Sequence, residues 1–150
     1  MSTMKTPFDY DEHLAEHFTL GEMLRSGKAV RLKIDNTPGE AEVRALRALC
    51  QHVLEPLRQR FGRIIITSGY RSERLNEAVG GVANSQHLRG EAADIHCSSM
   101  QQARRYYDYI AQHLDFDQLL LEKRLKNGCC WIHVSYVGER NRRTKGELPL

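Results

Sequence analysis

Two imidazoles and one carboxylate, those of His87, Asp94 and His133, stand in the segments Ser85-Gln86-His87-Leu88-Arg89-Gly90-Glu91-Ala92-Ala93-Asp94-Ile95 and Trp131-Ile132-His133-Val134-Ser135. That donor set suits a catalytic zinc ion, because zinc in hydrolases takes three protein ligands from His, Asp or Glu and leaves its fourth position to water or substrate. The spacing gives the idea geometry. If residues 92–97 run as a strand, Ala92, Asp94 and His96 share one face while Ala93, Ile95 and Cys97 take the other. By the same alternation Trp131, His133 and Ser135 face one way, and Ile132, Val134 and Tyr136 the other. Asp94 and His133 can then meet across neighbouring strands. Six residues separate His87 from Asp94, enough for a turn at Gly90 to fold the histidine back over the strand. No interval is helical, so this is not the motif of two histidines on one helix. A lone His or Asp is ordinarily hydrogen-bonded or solvated. Here an acid inside Ala92-Ala93-Asp94-Ile95 and a histidine inside Trp131-Ile132-His133-Val134 interrupt runs that would otherwise build plain core, and buried charge is costly unless paired or bound to metal.

Around these residues lie further motifs: Ser68-Gly69-Tyr70-Arg71-Ser72, Leu75-Asn76, Val79-Gly80-Gly81, Asn84-Ser85-Gln86-His87, Gly90-Glu91-Ala92-Ala93-Asp94-Ile95, Phe116-Asp117-Gln118-Leu119 and Trp131-Ile132-His133. Together, and in this order from about Phe18 to Tyr136, they resemble the M15 zinc peptidases. These are the D-alanyl-D-alanine carboxypeptidases and related peptidoglycan endopeptidases, phage endolysins among them, which share a core with the Hedgehog signalling domain. The resemblance implies one zinc ion per chain on His87, Asp94 and His133. It also implies that Arg71 meets a carboxylate or carbonyl of the substrate, with Ser85 close to the bound peptide. Chemistry agrees for Arg71, since guanidinium is a planar fork that matches a carboxylate and keeps its charge. The residue also follows an Ile64-Ile65-Ile66-Thr67 strand, at a turn where binding groups gather. Its plain alternative is a surface salt bridge to Glu73 or Glu77.

The chain departs from part of the family at the catalytic base. Many relatives carry an acid three positions before the last histidine ligand, where this chain has Cys130, a poor substitute. Glu122 ends the run Phe116-Asp117-Gln118-Leu119-Leu120-Leu121-Glu122, which resembles the strand before the final ligand strand. With 123–128 as a hairpin turn it would lie opposite Trp131, within reach of the catalytic water. Gln118, Leu120 and Glu122 share a face, so Gln118 lines the same cleft, and Trp131 joins it as a substrate contact. The bland alternative for Glu122 is a charged hairpin shoulder beside Lys123 and Arg124. His96 lies about 6.5 Å along the strand from Asp94, which suits the rim better than direct ligation. Cys129 and Cys130 are adjacent, so they cannot face one way, and the lack of a CxxC pair argues against a zinc knuckle. A thiol mechanism through Cys130 and His133 would leave the His87 to Asp94 motif unexplained.

The elements that must position these groups are also legible. Thr19 precedes Leu20-Gly21-Glu22 at capping-box spacing and starts a short helix. A turn is expected at Asn36-Thr37-Pro38-Gly39. Val43, Leu46, Leu49, Cys50, Val53, Leu54 and Leu57 then recur at helical spacing, in a long amphipathic helix that Pro56 should disturb. Leu75 to Val79 forms a brief helix, and Ser98-Ser99-Met100 opens another through Tyr106, Tyr109 and Ile110. Helices grouped about a small, mainly antiparallel sheet define an α+β fold, with the Hedgehog and DD-peptidase arrangement implied by the resemblance.

At 150 residues the chain suits one domain, with flexible ends expected at about 1–15 and 139–150, the latter polar and basic. The net charge of +3 is mild and compatible with an anionic cell wall. No nucleic-acid-reading motif accompanies it, and no run is apolar and long enough for membrane insertion. The four cysteines read as reduced thiols, Cys50 in the core. No secretory h-region follows Lys5, so synthesis in the cytoplasm is expected, with access to peptidoglycan after export or lysis, as for a phage or prophage enzyme. The oligomeric state is not legible. The rival reading is a non-catalytic zinc module that binds wall peptides or a protein on the same fold.

Overall fold

A computed structural model of the chain describes residues 8–150. In chain order, β1 (His13–Ala15) and β2 (Phe18–Thr19) form a small hairpin, followed by helices α1 (Leu20–Leu24), α2 (Gly27–Leu32), α3 (Glu40–Leu49) and α4 (Glu55–Phe61). Then come β3 (Ile66–Ser68), α5 (Glu73–Ala78), β4 (Ala92–Cys97), α6 (Met100–His113), β5 (Gln118–Lys123), β6 (Cys130–Ser135) and β7 (Thr144–Pro149). The architecture is α+β, a five-stranded sheet in the order β3-β4-β6-β5-β7 with helices around it. Every pairing in it is antiparallel except β5 with β7, which is parallel. No helix among the described residues is long and apolar enough to cross a membrane.

Local chemistry accounts for the helix starts. The Thr19 hydroxyl accepts from the Glu22 amide, Ser26 caps α2 through the Ala29 amide, and Ser99 caps α6 through that of Gln102. The Glu42 carboxylate accepts from the Gly39 amide at 2.8 Å ahead of α3. The long helix expected over 43–57 is realised as α3, a π-helical turn at Cys50–Leu54, and α4. Proline lacks an N–H and its ring clashes with the carbonyl four residues back, so a wider turn just before Pro56 lets the chain continue. Inside that turn the Glu55 amide donates to the Cys50 carbonyl.

One face of the sheet is core. Ala93, Ile95 and Cys97 of β4, Leu119 and Leu121 of β5, and Cys130, Ile132 and Val134 of β6 are buried with Leu46, Leu49, Leu54, Leu57, Tyr106 and Ile110 of the helices. Helix α6 packs directly on β4, β5 and β6. The opposite face carries the polar residues of the same strands, so the alternation read from the sequence decides which side chains are left for chemistry.

Both ends for which flexibility is expected hold paired strands. After Glu139, Thr144–Pro149 adds to β5, which would otherwise be an edge with unpaired backbone groups. Three of the charged side chains after Glu139 are engaged too. Arg142 clamps Asp117, Arg143 stacks over Phe116 and donates to the Ala111 carbonyl at 3.0 Å, and Glu147 pairs with Arg104 at 2.6 Å. At the other end, His13–Ala15 is a paired strand rather than part of a loose terminus, while residues 1–7 lie outside the described residues. Element limits shift slightly as well, with β3 starting at Ile66, β5 at Gln118 and α5 at Glu73 under a Ser72 cap. The short α2, and the β1–β2 hairpin, have no strong periodicity to announce them.

Candidate metal centre

Strand register builds the site. Asp94 of β4 is paired with His133 of β6, and His133 in turn with Leu120 of β5, making a row across the open face of the sheet. The next row in one direction is His96, Trp131 and Glu122. In the other direction Ala92 pairs with Ser135, whose hydroxyl accepts the Gln118 amide at 3.0 Å.

His87 reaches this row from a 3-10 turn, Gln86–Arg89, rather than from irregular loop. Ser85 caps that turn, its hydroxyl accepting the His87 amide at 3.2 Å, and Gly90 closes it in the left-handed region at φ 73°. Gly90 also packs so tightly that a Cβ there would overlap the Glu42 carbonyl oxygen. The positive φ and the close approach together demand glycine.

The imidazole of His87 is buried, and its Nδ1 lies 2.6 Å from the Gly69 carbonyl oxygen. A carbonyl can only accept, so Nδ1 carries the hydrogen and the Nε2 lone pair is left to act as a ligand. That nitrogen lies 3.4 Å from Asp94 Oδ1, and His133 Nδ1 lies 3.0 Å from the same oxygen. One donor atom from each of the three residues lies within 4.8 Å of the others, as ligands to a single ion must. The orienting carbonyl behind His87 is the outer contact that metal-binding histidines ordinarily use. By donor chemistry, convergence and tautomer, these three residues fit a zinc site. A second group with donors this close, Glu16, His17 and Glu55, is an exposed to half-buried salt-bridge cluster on another part of the surface.

Charges are arranged to keep the carboxylate ionised. Burial opposes the charge on Asp94, but the imidazoles of His133 and His87, which bond to the carboxylate and carry charge only when protonated, outweigh it in that state and hold the carboxyl well below the usual carboxylate range. Arg71 adds a contact, Nη2 to Asp94 Oδ2 at 3.4 Å, so its partner is Asp94 and not Glu73 or Glu77. The rest of the fork is fixed by Ser68, which accepts from Nε at 3.0 Å, and by buried Asn76, which accepts from Nη1 at 3.2 Å. Burial lowers the Arg71 pKa from its ordinary value, against the opposing pull of Asp94 and Glu122.

Glu122 lies one row from Asp94 and His133 and accepts a hydrogen bond from Trp131 Nε1 at 2.7 Å. Burial pushes its carboxyl above the usual value and the charge of Asp94 adds to this, while His133, Trp131 and His87 pull it down. A half-buried carboxylate poised between these influences is the kind of group that can exchange protons. Cys130 belongs to the core face, with Cys97 as its cross-strand partner, and burial raises its thiol pKa, so neither position nor acidity suits a nucleophile paired with His133. His96 is exposed, at the rim.

Two cavities flank the Asp94 and His133 row. One, of about 780 Å³, is lined by Arg71, Asp94, His96 and Trp131. The other, of about 630 Å³, is lined by Ser85, Gln86, Gln118 and His133, with Arg140 and Arg142 beyond them. Asn76, Ser68, Gly69 and the Asp117–Arg142 pair all support the site without having been singled out by type. Gly69, Ser68 and Asn76 do fall inside motifs quoted above, but nothing local reveals which group each one holds.

Fold and site together define a class of protein: an α+β domain whose open sheet face presents a histidine, histidine and aspartate pocket beside a glutamate and an arginine. Residues 16–135 match the family model described as Peptidase M15, and the chain belongs to that family, one of peptide-bond hydrolases. No curated protein matches it.

Proposed function

We infer that this protein is a zinc-dependent peptidase that cuts the stem peptides of peptidoglycan, in the manner of D-Ala-D-Ala carboxypeptidases or L,D-endopeptidases. The observation that carries the reading is the convergence of His87, Asp94 and His133, with Glu122 and Arg71 at the same face of the sheet. These three residues would hold one zinc ion, which supplies Lewis-acid chemistry, acidifying water and polarising a peptide carbonyl. Glu122 takes the proton of the attacking water and returns it to the leaving amine nitrogen. Trp131 holds that carboxylate in place. Arg71, with its two unused N–H bonds, donates to the carbonyl oxygen as negative charge develops there. Ser85 and Gln118 in one flanking cavity and Trp131 in the other receive the peptide on either side of the metal-binding row. The same core as in the Hedgehog domain would follow from the family relation.

The test is metal-dependent turnover. Purified protein with one zinc per chain should release D-alanine or free amines from peptidoglycan, lose that activity with chelator and regain it with zinc. His133→Ala should bind less metal and release nothing. Stoichiometric zinc without turnover on peptidoglycan or synthetic stem peptides would replace this reading with that of a non-catalytic zinc module.

A further inference from the structure

The site is open on two sides. Along the strands, the Trp131 and Glu122 row lies on one side of Asp94 and His133, and the Gln118 and Ser135 position on the other, each with its own cavity. A peptide lying along the strands therefore has room on both sides of the bond at the metal ligands. The cavity on the Gln118 side owes part of its wall to Val137, Arg140 and Arg142, chain that follows the last residue of the family match.

Its charges are unbalanced. Three guanidinium groups, those of Arg89, Arg140 and Arg142, face two carboxylates, those of Glu91 and Asp117. Arg142 is consumed by Asp117, which accepts from its Nε at 2.9 Å and its Nη2 at 2.8 Å. Arg89 Nε donates to Glu91 at 3.0 Å. Arg140 is left with the same Glu91 at 4.0 Å, beyond hydrogen-bond distance, and its side chain is 80 % exposed. The cavity thus holds one cation with no carboxylate within hydrogen-bond distance among the described residues, and His133 lines the same cavity.

We propose that this cavity is a substrate subsite that binds a carboxylate of the peptide through Arg140. The proposal rests on the peptidase reading and sharpens it: the substrate is an acidic peptide, recognised by a cation from outside the family match. Guanidinium suits the task because it offers paired donors to a carboxylate and stays charged. Two sources carry that chemistry in a stem peptide, the α-carboxylate of the γ-linked glutamyl residue and the carboxylate at the chain's C-terminus.

The test uses the zinc-loaded, full-length protein and three synthetic stem peptides. One has both carboxylates free, one has the glutamyl carboxylate as carboxamide, and one has the C-terminal carboxylate as carboxamide. Wild type should favour the doubly acidic peptide over one of the two amides by about three- to tenfold in kcat/KM, chiefly through KM, as a solvent-accessible charged contact allows. The amide that suffers identifies the source. In Arg140→Gln that ratio should fall to near one, and Arg140→Lys should recover part of it. Equal rates on all three peptides, or a preference that survives in Arg140→Gln, would overturn the proposal. Binding of the same peptides is measured by calorimetry alongside. If nothing is cleaved yet the acidic peptide binds more tightly in an Arg140-dependent way, the peptidase reading falls and the carboxylate site stands. Equal binding removes the site as well.

Discussion

Replacing Glu122 by Gln removes the proton acceptor while keeping nearly everything else. The glutamine carbonyl can still accept from Trp131 Nε1, now 2.7 Å from a carboxylate oxygen. The bond loses its charge-assisted part, about 1 kcal/mol, but a half-buried charge beside Asp94 also disappears, which offsets part of that loss. Folding stability should therefore change by less than about 1 kcal/mol in urea denaturation. Zinc content should stay at one per chain, since Glu122 is not among the three converging donors. Turnover should collapse: a positioned general base contributes about 10²- to 10⁴-fold, so kcat should drop by that factor, about 3 to 5 kcal/mol on the barrier, with KM little changed. Glu122→Asp keeps the acid but retracts it by one methylene from Trp131, and should fall between the two. The assay is chromatographic product release from a synthetic stem peptide, with metal analysis on the same samples. A Gln variant that holds zinc and turns over within about threefold of wild type, under about 1 kcal/mol, would refute the assignment of the base.

Two further outcomes are expected. Hydrogen bonds from Arg142 and Gln86 and the Arg142 charge lower the Asp117 carboxyl pKa to about 2, so its contribution to stability is fully present above its unfolded value near 4 and is lost as pH falls through the folded value. The amount is at most about 2 kcal/mol, reduced because Arg142 is largely solvent-exposed. Comparing urea midpoints of wild type and Asp117→Asn between pH 5 and pH 2 should show their gap narrowing with acid; a constant gap would contradict the clamp. Gly90→Ala should cost more than about 2 kcal/mol, from a left-handed backbone and overlap with the Glu42 carbonyl, and should weaken zinc binding by displacing the turn that carries His87. An unchanged unfolding midpoint would show that the turn is less constrained than its geometry implies.

Much of the site was legible in the residues because alternation along a strand is a property of the backbone itself. Ala92 to Cys97 and Trp131 to Ser135 could present Asp94 and His133 on one face each only in the way observed, and caps such as Thr19 and Ser99 act within a single turn of chain. Glu122 opposite Trp131 follows from a hairpin of fixed length in the same way. Other features depend on groups far apart in sequence. The Gly69 carbonyl fixes the tautomer of His87, Asn76 and Ser68 occupy the fork of Arg71, and Asp94 rather than a nearby glutamate becomes its ionic partner. The basic stretch after Glu139 reads as solvated tail by composition, yet it completes the sheet and walls a cavity, because its arginines meet Asp117, Phe116 and a helix carbonyl that only the folded core brings within reach. Sequence alone determined which side chains share a face and which chemistry they offer. Tertiary structure decided which faces meet, since the order of strands and the partners of buried polar groups are set by long-range packing and hydrogen bonding, to which no local pattern is tied.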